Sequence, residues 1–332
     1  MLTYLFAGTM SILPATIITA SVSIVLTALG GLYSVVWTDT IQFVIMVLVI
    51  VVAAPIIGVK NAGSLTVIEQ KLAQVGGTLL NPTKNVPFSY ILLSLVTCIL
   101  SIPCDPTIPQ RVLVGNDTKT TRKAFNISAV ICLVFGFALV IIGGSAAVLM
   151  PDIAAEYGTT EAAFPMLIIR YFPAGFSGIS ISVLIATIIT TITSMLLVGT
   201  THLVYDMGQS VFPRVSDETF KRIMPVAIVL LGGLSVWISL RVGSVTSVLY
   251  FAFSLCGAAF MFPIIAVLYW KKVSKWGITL GVAGGMLTVL IQNFAGYSGP
   301  GGDPVYLGLL VSLVFTVGAS LLIPGGGIGK DE

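Results

Sequence analysis

Four hydroxyl side chains lie on one face of an otherwise apolar segment, residues 181–201. The segment reads ISVLIATIITTITSMLLVGTT, and its helical face at i, i+3, i+4 and i+7 holds Thr187, Thr190, Thr191 and Ser194. Uncharged oxygens suit a hard monovalent cation such as Na⁺, which gives up its water more readily than Mg²⁺ does. The same hydroxyls could instead bond to the carbonyl four residues earlier and help helices to pack. The residues alone leave both interpretations open.

An ionisable side chain and three prolines interrupt the apolar sequence at residues 102–111. Pro103, Pro106 and Pro109 cannot continue a regular helix, so we expect the preceding helix to end or unwind here. Asp105 lies within the break, where a carboxylate beside hydrocarbon needs a cavity or a partner. Two interpretations stay open: Asp105 has a functional role, or it caps a turn at the cytoplasmic interface.

Two further groups of small and polar residues lie in apolar surroundings. Gly30 and Gly31 predict a tight cytoplasmic corner between two spans, after which Thr38 or Asp39 would cap the next helix. Ser254 lies among small residues in the apolar stretch 244–270. That environment is typical either of a helix that bends or of close helix packing.

Composition places these residues in a polytopic α-helical membrane protein. Hydrophobic residues make up 56% of the chain and charged residues 9%, whereas an ordinary soluble domain has about 25% charged residues. Several uncharged runs reach the length of about 20 residues that crosses a bilayer as a helix, and no alternating barrel strands are seen. The predicted spans are 13–34, 37–59, 87–104, 124–149, 177–205, 223–241, 244–270, 276–298 and 304–324, and residues 1–11 resemble the end of another span. Outside the spans, surface helices are predicted near 64–75 and 161–170.

The charged residues indicate the orientation and exclude several classes of function. Lys and Arg concentrate in loops 111–123, 206–222 and 271–275, which are therefore predicted to be cytoplasmic. The net charge of +3 gives no nucleic-acid signal. One histidine, four cysteines without a CxxC pair and the lack of any nucleophile or phosphate-loop motif argue against an enzyme, a structural metal site or a bound cofactor.

Three segments resemble signatures of the sodium/solute symporter family, which includes proline, pantothenate, sugar and choline carriers. GGLYSVVWTDTIQ at 30–42 is similar to the family's GG-hydrophobic-TD-hydrophobic-Q signature, and QRVL at 110–113 is similar to its basic loop, with Gly115 near the family's usual alanine. ATIITTITSMLLVGTTHLVYD at 186–206 is similar to its hydroxyl-bearing helix, which ends in an aspartate, here Asp206. The order and spacing also match, and the resemblance covers nearly the whole chain.

The resemblance implies the all-α, LeuT-type fold, in which two inverted repeats of five helices surround a site at the membrane midplane. Residues 1–60 would be the end of the first repeat, 86–272 a complete second repeat, and 273–332 two peripheral helices with a flexible tail. The family's opening helices have no counterpart in the sequence. We therefore expect an N-terminally truncated member with about nine full spans and a partial one.

The resemblance also implies a function and a set of site residues. Thr190 and Thr191 match the paired hydroxyl ligands of a sodium ion, and Thr187 matches a position that contributes a backbone carbonyl. Cys104, Asp105 and Ser254 are expected on the solute pathway. The implied activity is sodium-coupled symport of a small organic solute across the cell membrane, with Na⁺ as the coupling ion and no other cofactor.

Part of the sodium shell and much of the solute pocket would lie on helices that the sequence lacks. The expected partners are therefore Na⁺, a small organic solute, the lipid bilayer and, unless the chain is a fragment, a separate chain that supplies the N-terminal helices. The alternative is a non-transporting membrane subunit, degenerate or serving a partner, that derives from the same family. Sodium should stabilise the transporter and leave the non-transporting subunit unaffected.

Overall fold

The computed structural model describes residues 11–79, 81, 84, 87–113, 115, 117–240, 245–296 and 305–323. Every regular element in these ranges is a helix, as an apolar chain requires when its backbone groups must bond within their own segment. Packing divides the described residues into two units. The first unit comprises residues 11–84 and 117–240, and the second comprises residues 87–115 and 245–323.

The first unit contains most of the helices. They are α1 (Ile12–Met46), a π-helical segment (Val47–Ala53), α2 (Ala54–Ala62), α3 (Leu65–Gln74), α6 (Thr118–Leu149), α7 (Ile153–Tyr157), a 3₁₀ turn (Thr160–Ala162), α8 (Ala163–Tyr171), α9 (Ala174–Thr201), a second π-helical segment (His202–Met207), α10 (Gly208–Val211) and α11 (Asp217–Ser239). The second unit contains α4 (Phe88–Ser101), a 3₁₀ turn (Ile102–Cys104), α5 (Thr107–Leu113), α12 (Val245–Tyr269), α13 (Lys275–Ala295) and α14 (Val305–Leu322).

Helix α1 is longer than the sequence predicts, and the predicted corner at Gly30 and Gly31 is wrong. The helix continues through both glycines to Met46, so Thr38 and Asp39 lie inside it rather than at the start of a new helix. Each glycine costs about 1 kcal/mol relative to alanine within a helix. An unbroken helix keeps every backbone N–H and C=O group bonded, and leaving such groups unpaired in an apolar environment costs more than that.

Seven described helices are long and apolar enough to cross a membrane, and two shorter apolar helices cover 13–28 and 94–104. Together they account for the regions predicted as spans, while the exact number of spans stays a prediction. The helices predicted near 64–75 and 161–170 are confirmed as α3 and α8, but α8 is not a surface helix, since its Leu167 and Ile168 are fully buried. The predicted end of a span at 1–11 and the flexible tail after 324 fall almost entirely outside the described residues. The division into repeats at 1–60, 86–272 and 273–332 also stays a prediction.

Helix α6 starts six residues before the predicted span because Asp117 caps it. The Asp117 carboxylate accepts the backbone N–H of Thr120 at 2.7 Å and the Thr120 hydroxyl at 2.6 Å. These bonds favour the ionised carboxylate and hold the pKa of Asp117 below its usual range. The capped first turn therefore lets the helix begin in the polar residues 118–123, before the apolar span.

The first unit contains two groups of packed helices. In one group, α2, α6 and α8 form a hydrophobic core in which Leu167, Ile168 and Ala54 are fully buried. Helix α9 packs lengthwise on α1, and α11 packs on both of them. A Cβ atom at Gly232 of α11 would lie 2.6 Å from the side chain of Ile24, so the glycine allows α11 to approach α1 closely. This packing places the hydroxyl face of α9 against α1.

The second unit is a tight bundle in which α12, α13 and α14 pack on one another and α4 packs on α12. Small residues recur every four positions on the buried face of α13, at Gly277, Gly281 and Gly285. A Cβ atom at Gly285 would collide with the backbone carbonyl of Ala258 in α12. Glycine is therefore what lets these helices lie in backbone contact, as is common where helices associate within a membrane.

Replacing Gln292 with leucine is expected to stabilise this bundle. Gln292 is 4% exposed, and within the described chain neither its amide oxygen nor its amide nitrogen has a hydrogen-bond partner. A buried polar group without a partner costs about 1–3 kcal/mol, and leucine of similar size removes that cost. Thermal unfolding of the detergent-purified protein should therefore shift to higher temperature in Gln292→Leu. A lower transition temperature would show that the amide has a stabilising partner.

Candidate functional site

The hydroxyl face predicted at residues 187–194 lies on one continuous helix, α9. Its threonines bond back along the helix: the Thr187 hydroxyl donates to the Val183 carbonyl at 2.8 Å, and the Thr191 hydroxyl donates to the Thr187 carbonyl at 2.8 Å. These bonds satisfy the hydroxyl hydrogens inside an apolar segment. Each hydroxyl oxygen keeps lone pairs that an ion could use.

Helix α1 meets this face with two side chains that are one helical turn apart. The Gln42 amide oxygen lies 3.2 Å from the Thr190 hydroxyl oxygen, and the Met46 sulfur lies 3.8 Å from the Thr187 hydroxyl oxygen. All four side chains are partly buried. Thr187 and Thr190 therefore face α1, which supplies an oxygen at Gln42 and an apolar boundary at Met46.

The oxygen atoms around Thr190 can accept more hydrogen bonds than the neighbouring hydroxyl groups can donate. The Thr190 hydroxyl lies 3.2 Å from the Gln42 amide oxygen and 3.2 Å from the Thr187 carbonyl oxygen, yet it has one hydrogen to donate. The Thr187 carbonyl also accepts the Thr191 hydroxyl at 2.8 Å. An arrangement of uncharged oxygens with surplus lone pairs can coordinate a small cation.

The three residues predicted as sodium ligands differ in exposure. Thr187 and Thr190 are partly buried and face α1, whereas Thr191 lies on the exposed side of α9. Thr191 is adjacent to Thr190, and its hydroxyl is held in place by the Thr187 carbonyl. The structure therefore brings Thr187, Thr190 and Thr191 together around one carbonyl group. Their role as ligands stays a prediction.

The residues predicted for the solute pathway lie in the second unit. Of the break predicted at 102–111, the part at 102–106 is confirmed, because α4 ends in a 3₁₀ turn and α5 begins after Asp105 and Pro106. Residues 107–111, with Pro109, are helical instead, since a proline in the first turn of a helix removes no helical hydrogen bond. The Asp105 carboxylate accepts the Thr107 backbone N–H at 2.8 Å and the Thr107 hydroxyl at 2.7 Å, so it caps α5. The carboxylate thus satisfies the first turn of α5, and a pathway role for Asp105 stays a prediction.

The other two predicted pathway residues are buried among helices of the second unit. The Cys104 sulfur lies 3.4 Å from the Leu100 carbonyl oxygen and 4.0 Å from the Met261 sulfur of α12. Ser254, also on α12, is 3% exposed. Both environments are those of packed side chains, and a pathway role for Cys104 or Ser254 stays a prediction.

The sequence did not single out Gln42 or Met46. Gln42 is the last residue of the GGLYSVVWTDTIQ segment, which marks it as a residue of interest without saying what it contacts. Its partner is far away in sequence, and only the packing of α9 on α1 brings the two residues together. Spacing within one helix cannot predict such a contact.

Comparison with known proteins matches this helical architecture and these segments to one family. A model of the sodium:solute symporter family matches residues 5–285. The chain belongs to the sodium:solute symporter family. With seven long apolar helices among its described residues, it is a multi-pass protein of the cell membrane.

Members of this family with assigned names are similar along most of the chain. The sodium/proline symporter of Haemophilus influenzae is 26% identical over 280 residues, which cover 81% of this chain and 55% of that protein. Sodium/glucose cotransporter 4 of Danio rerio is 24% identical over 324 residues, which cover 84% of this chain and 49% of that protein. The chain thus spans about half the length of the curated relatives it matches. These relatives are transporters rather than enzymes.

A solved structure shares the fold. The outward-open, substrate-bound structure of a Na⁺-coupled sialic acid symporter, described as revealing a novel Na⁺ site, superimposes with a TM-score of 0.73. It is 18% identical and covers 98% of this chain and 71% of that one. At this identity the likeness establishes the fold alone, and it confirms the LeuT-like helical architecture that the sequence motifs imply.

Proposed function

We propose that the protein takes part in sodium-coupled symport of a small organic solute by alternating access. The observation that carries the proposal is the group of oxygens formed by Thr187, Thr190 and Thr191 on α9 with Gln42 on α1. Uncharged oxygens suit a monovalent cation, and family membership makes Na⁺ the natural candidate. The relatives described above are a sodium/proline symporter and a sodium/glucose cotransporter, which supports a small organic solute for this chain as well.

Sodium would act as a ligand that prefers one conformation. A cation can shift the equilibrium between outward-open and inward-open states only by as much as its affinity differs between them. Thr190 and Thr191 would contribute hydroxyl oxygens, and Thr187 would contribute its carbonyl oxygen. Movement of one group of helices relative to the other would then expose the bound solute to alternate sides of the membrane.

A sodium ion binds more oxygens than α9 and α1 offer within the described residues. The proposal assigns the remaining ligands, and most of the solute contacts, to further helices of the working transporter. Those helices belong either to the same polypeptide or to a second chain. This assignment predicts that α9 and α1 alone bind sodium more weakly than a full set of ligands would, because fewer oxygens replace its water.

Sodium is expected to raise the thermal stability of the purified protein. A ligand that binds only the folded state stabilises it by RT ln(1 + [L]/Kd), or about 1.4 kcal/mol at ten times the dissociation constant. The measurement compares unfolding in detergent with NaCl and with KCl or choline chloride at equal ionic strength, over a range of concentrations. A saturable rise in the transition temperature with Na⁺ alone supports the proposal. Equal transition temperatures in all three salts would contradict it.

A further inference from the structure

We propose that Gln42 is a positioning residue of the sodium site. Its amide oxygen accepts the hydroxyl hydrogen of Thr190, which leaves the lone pairs of that hydroxyl available to the ion. The inference rests on the proposed function, because it assigns a residue of α1 to the cation site on α9. Gln42 would act through Thr190 rather than as a ligand itself. The argument depends on where the single hydrogen of Thr190 can go.

Among the residues that the structure describes, the hydrogen of Thr190 has two acceptors within reach, each 3.2 Å away: the Gln42 amide oxygen and the Thr187 carbonyl oxygen. The Thr187 carbonyl is the more crowded acceptor, because it accepts the Thr191 hydroxyl at 2.8 Å, is the helical acceptor for the Thr191 N–H and is itself a proposed sodium ligand. Gln42 is therefore the acceptor with free capacity, and donation to it also relieves the crowding at Thr187.

The direction of this hydrogen bond decides how well Thr190 can bind a cation. When Thr190 donates to Gln42, both lone pairs of the hydroxyl oxygen are available and the bond makes that oxygen more electron-rich. When the amide of Gln42 is reversed, its N–H group donates to Thr190 and occupies one of those lone pairs. A bound cation would also lie close to that N–H group, which carries partial positive charge. A bound ion and the orientation in which the Gln42 amide oxygen faces Thr190 therefore stabilise each other.

The surrounding packing holds Gln42 in this position. Met46, one turn further along α1, contacts the Thr187 hydroxyl, so α1 and α9 are in register at two consecutive turns. The side chains of Gln42 and Thr190 are both partly buried, and a hydrogen bond in such surroundings is electrostatically stronger than one in water. A Gln42–Thr190 bond that served packing alone would stabilise the protein equally with and without sodium.

The experiment measures the apparent dissociation constant for Na⁺ from the sodium dependence of thermal unfolding. The variants are Gln42→Leu, which removes the acceptor, and Gln42→Glu, which keeps an acceptor oxygen. Ile41→Ala is the matched control, because Ile41 is the neighbouring residue on α1 and is 61% exposed. We expect Gln42→Leu to bind Na⁺ about tenfold more weakly. Gln42→Glu and Ile41→Ala should bind at least as tightly as the wild type.

A double-variant comparison separates positioning from packing. If Gln42 acts through Thr190, adding Gln42→Leu to Thr190→Val should weaken sodium binding no further. A Gln42→Leu variant with the wild-type dissociation constant would overturn the inference and leave the proposed function standing, and so would additive losses in the double variant. A wild-type protein that shows no sodium response would overturn the proposed function and this inference with it. If Gln42→Leu fails to fold, the Gln42→Glu variant decides, since weakened binding there contradicts the role of the acceptor oxygen.

Discussion

Gly285→Ala is expected to disrupt the packing of α12, α13 and α14 and to lower the free energy of unfolding by about 3 kcal/mol or more. The added Cβ atom would lie 2.7 Å from the carbonyl carbon of Ala258 and closer still to its oxygen, with the Ser312 Cβ atom at 3.1 Å on the other side. Backbone atoms inside a helix cannot move aside as the end of a flexible side chain can. The three helices would therefore have to separate.

The chain offers a matched control for this substitution. Gly318 lies on α14 in the same bundle, and a Cβ atom there would meet nothing within 4 Å. Gly318→Ala should leave stability unchanged or raise it slightly, because alanine is the better helix former. Thermal unfolding of both variants in the same detergent is the measurement. Similar transition temperatures for the two alanine variants would show that α13 does not pack on α12 as closely as described.

The double variant Thr190→Val, Thr191→Val is expected to abolish the stabilisation by sodium. Valine has nearly the shape of threonine and the same branching at Cβ, so the helix and its packing should persist while two candidate ligand oxygens are lost. With both oxygens gone, we expect the apparent sodium affinity to fall by about 100-fold or more, on the scale of about 1.4 kcal/mol for each tenfold change. Sodium titrations of thermal unfolding give this affinity.

Thr201→Val is the control for the loss of a threonine hydroxyl from α9. Thr201 is also partly buried, and its hydroxyl donates to the Leu197 carbonyl at 2.7 Å in the same i−4 pattern. It lies almost three turns from Thr191 and has no part in the proposed site. Its sodium response should equal that of the wild type. An equal loss of response in Thr201→Val would show that any such substitution in α9 weakens the response through helix packing.

The spans and the hydroxyl face could be predicted from the sequence because both depend on local patterns. Apolar runs of sufficient length have few alternatives to membrane helices, and the spacing of Thr187, Thr190 and Thr191 fixes their common face whatever the helix packs against. The break at Pro103 and Pro106 was predictable for the same reason, since proline acts on its own helix. Each of these features needed no knowledge of the tertiary structure.

The predictions from the sequence are wrong or incomplete where tertiary packing or the apolar environment determines the local structure. Gly30 and Gly31 predicted a corner from local preference, but hydrogen-bond satisfaction keeps α1 helical there. The sequence could not say which groups the Asp105 carboxylate contacts, and the structure places the N–H and hydroxyl of Thr107 there. The contact of Gln42 with Thr190 joins two helices that are far apart in sequence, so only their packing could reveal it.

Equilibrium binding of radioactive sodium to the purified protein tests the central claim most directly, because it detects the ion itself rather than its effect on stability. The claim is that the oxygens of Thr187, Thr190 and Thr191, with Gln42 beside them, form a sodium site. The account predicts saturable binding that unlabelled Na⁺ displaces and K⁺ does not, and that is lost in the variant Thr190→Val, Thr191→Val. Binding that does not saturate, or that persists undiminished in that variant, would contradict it.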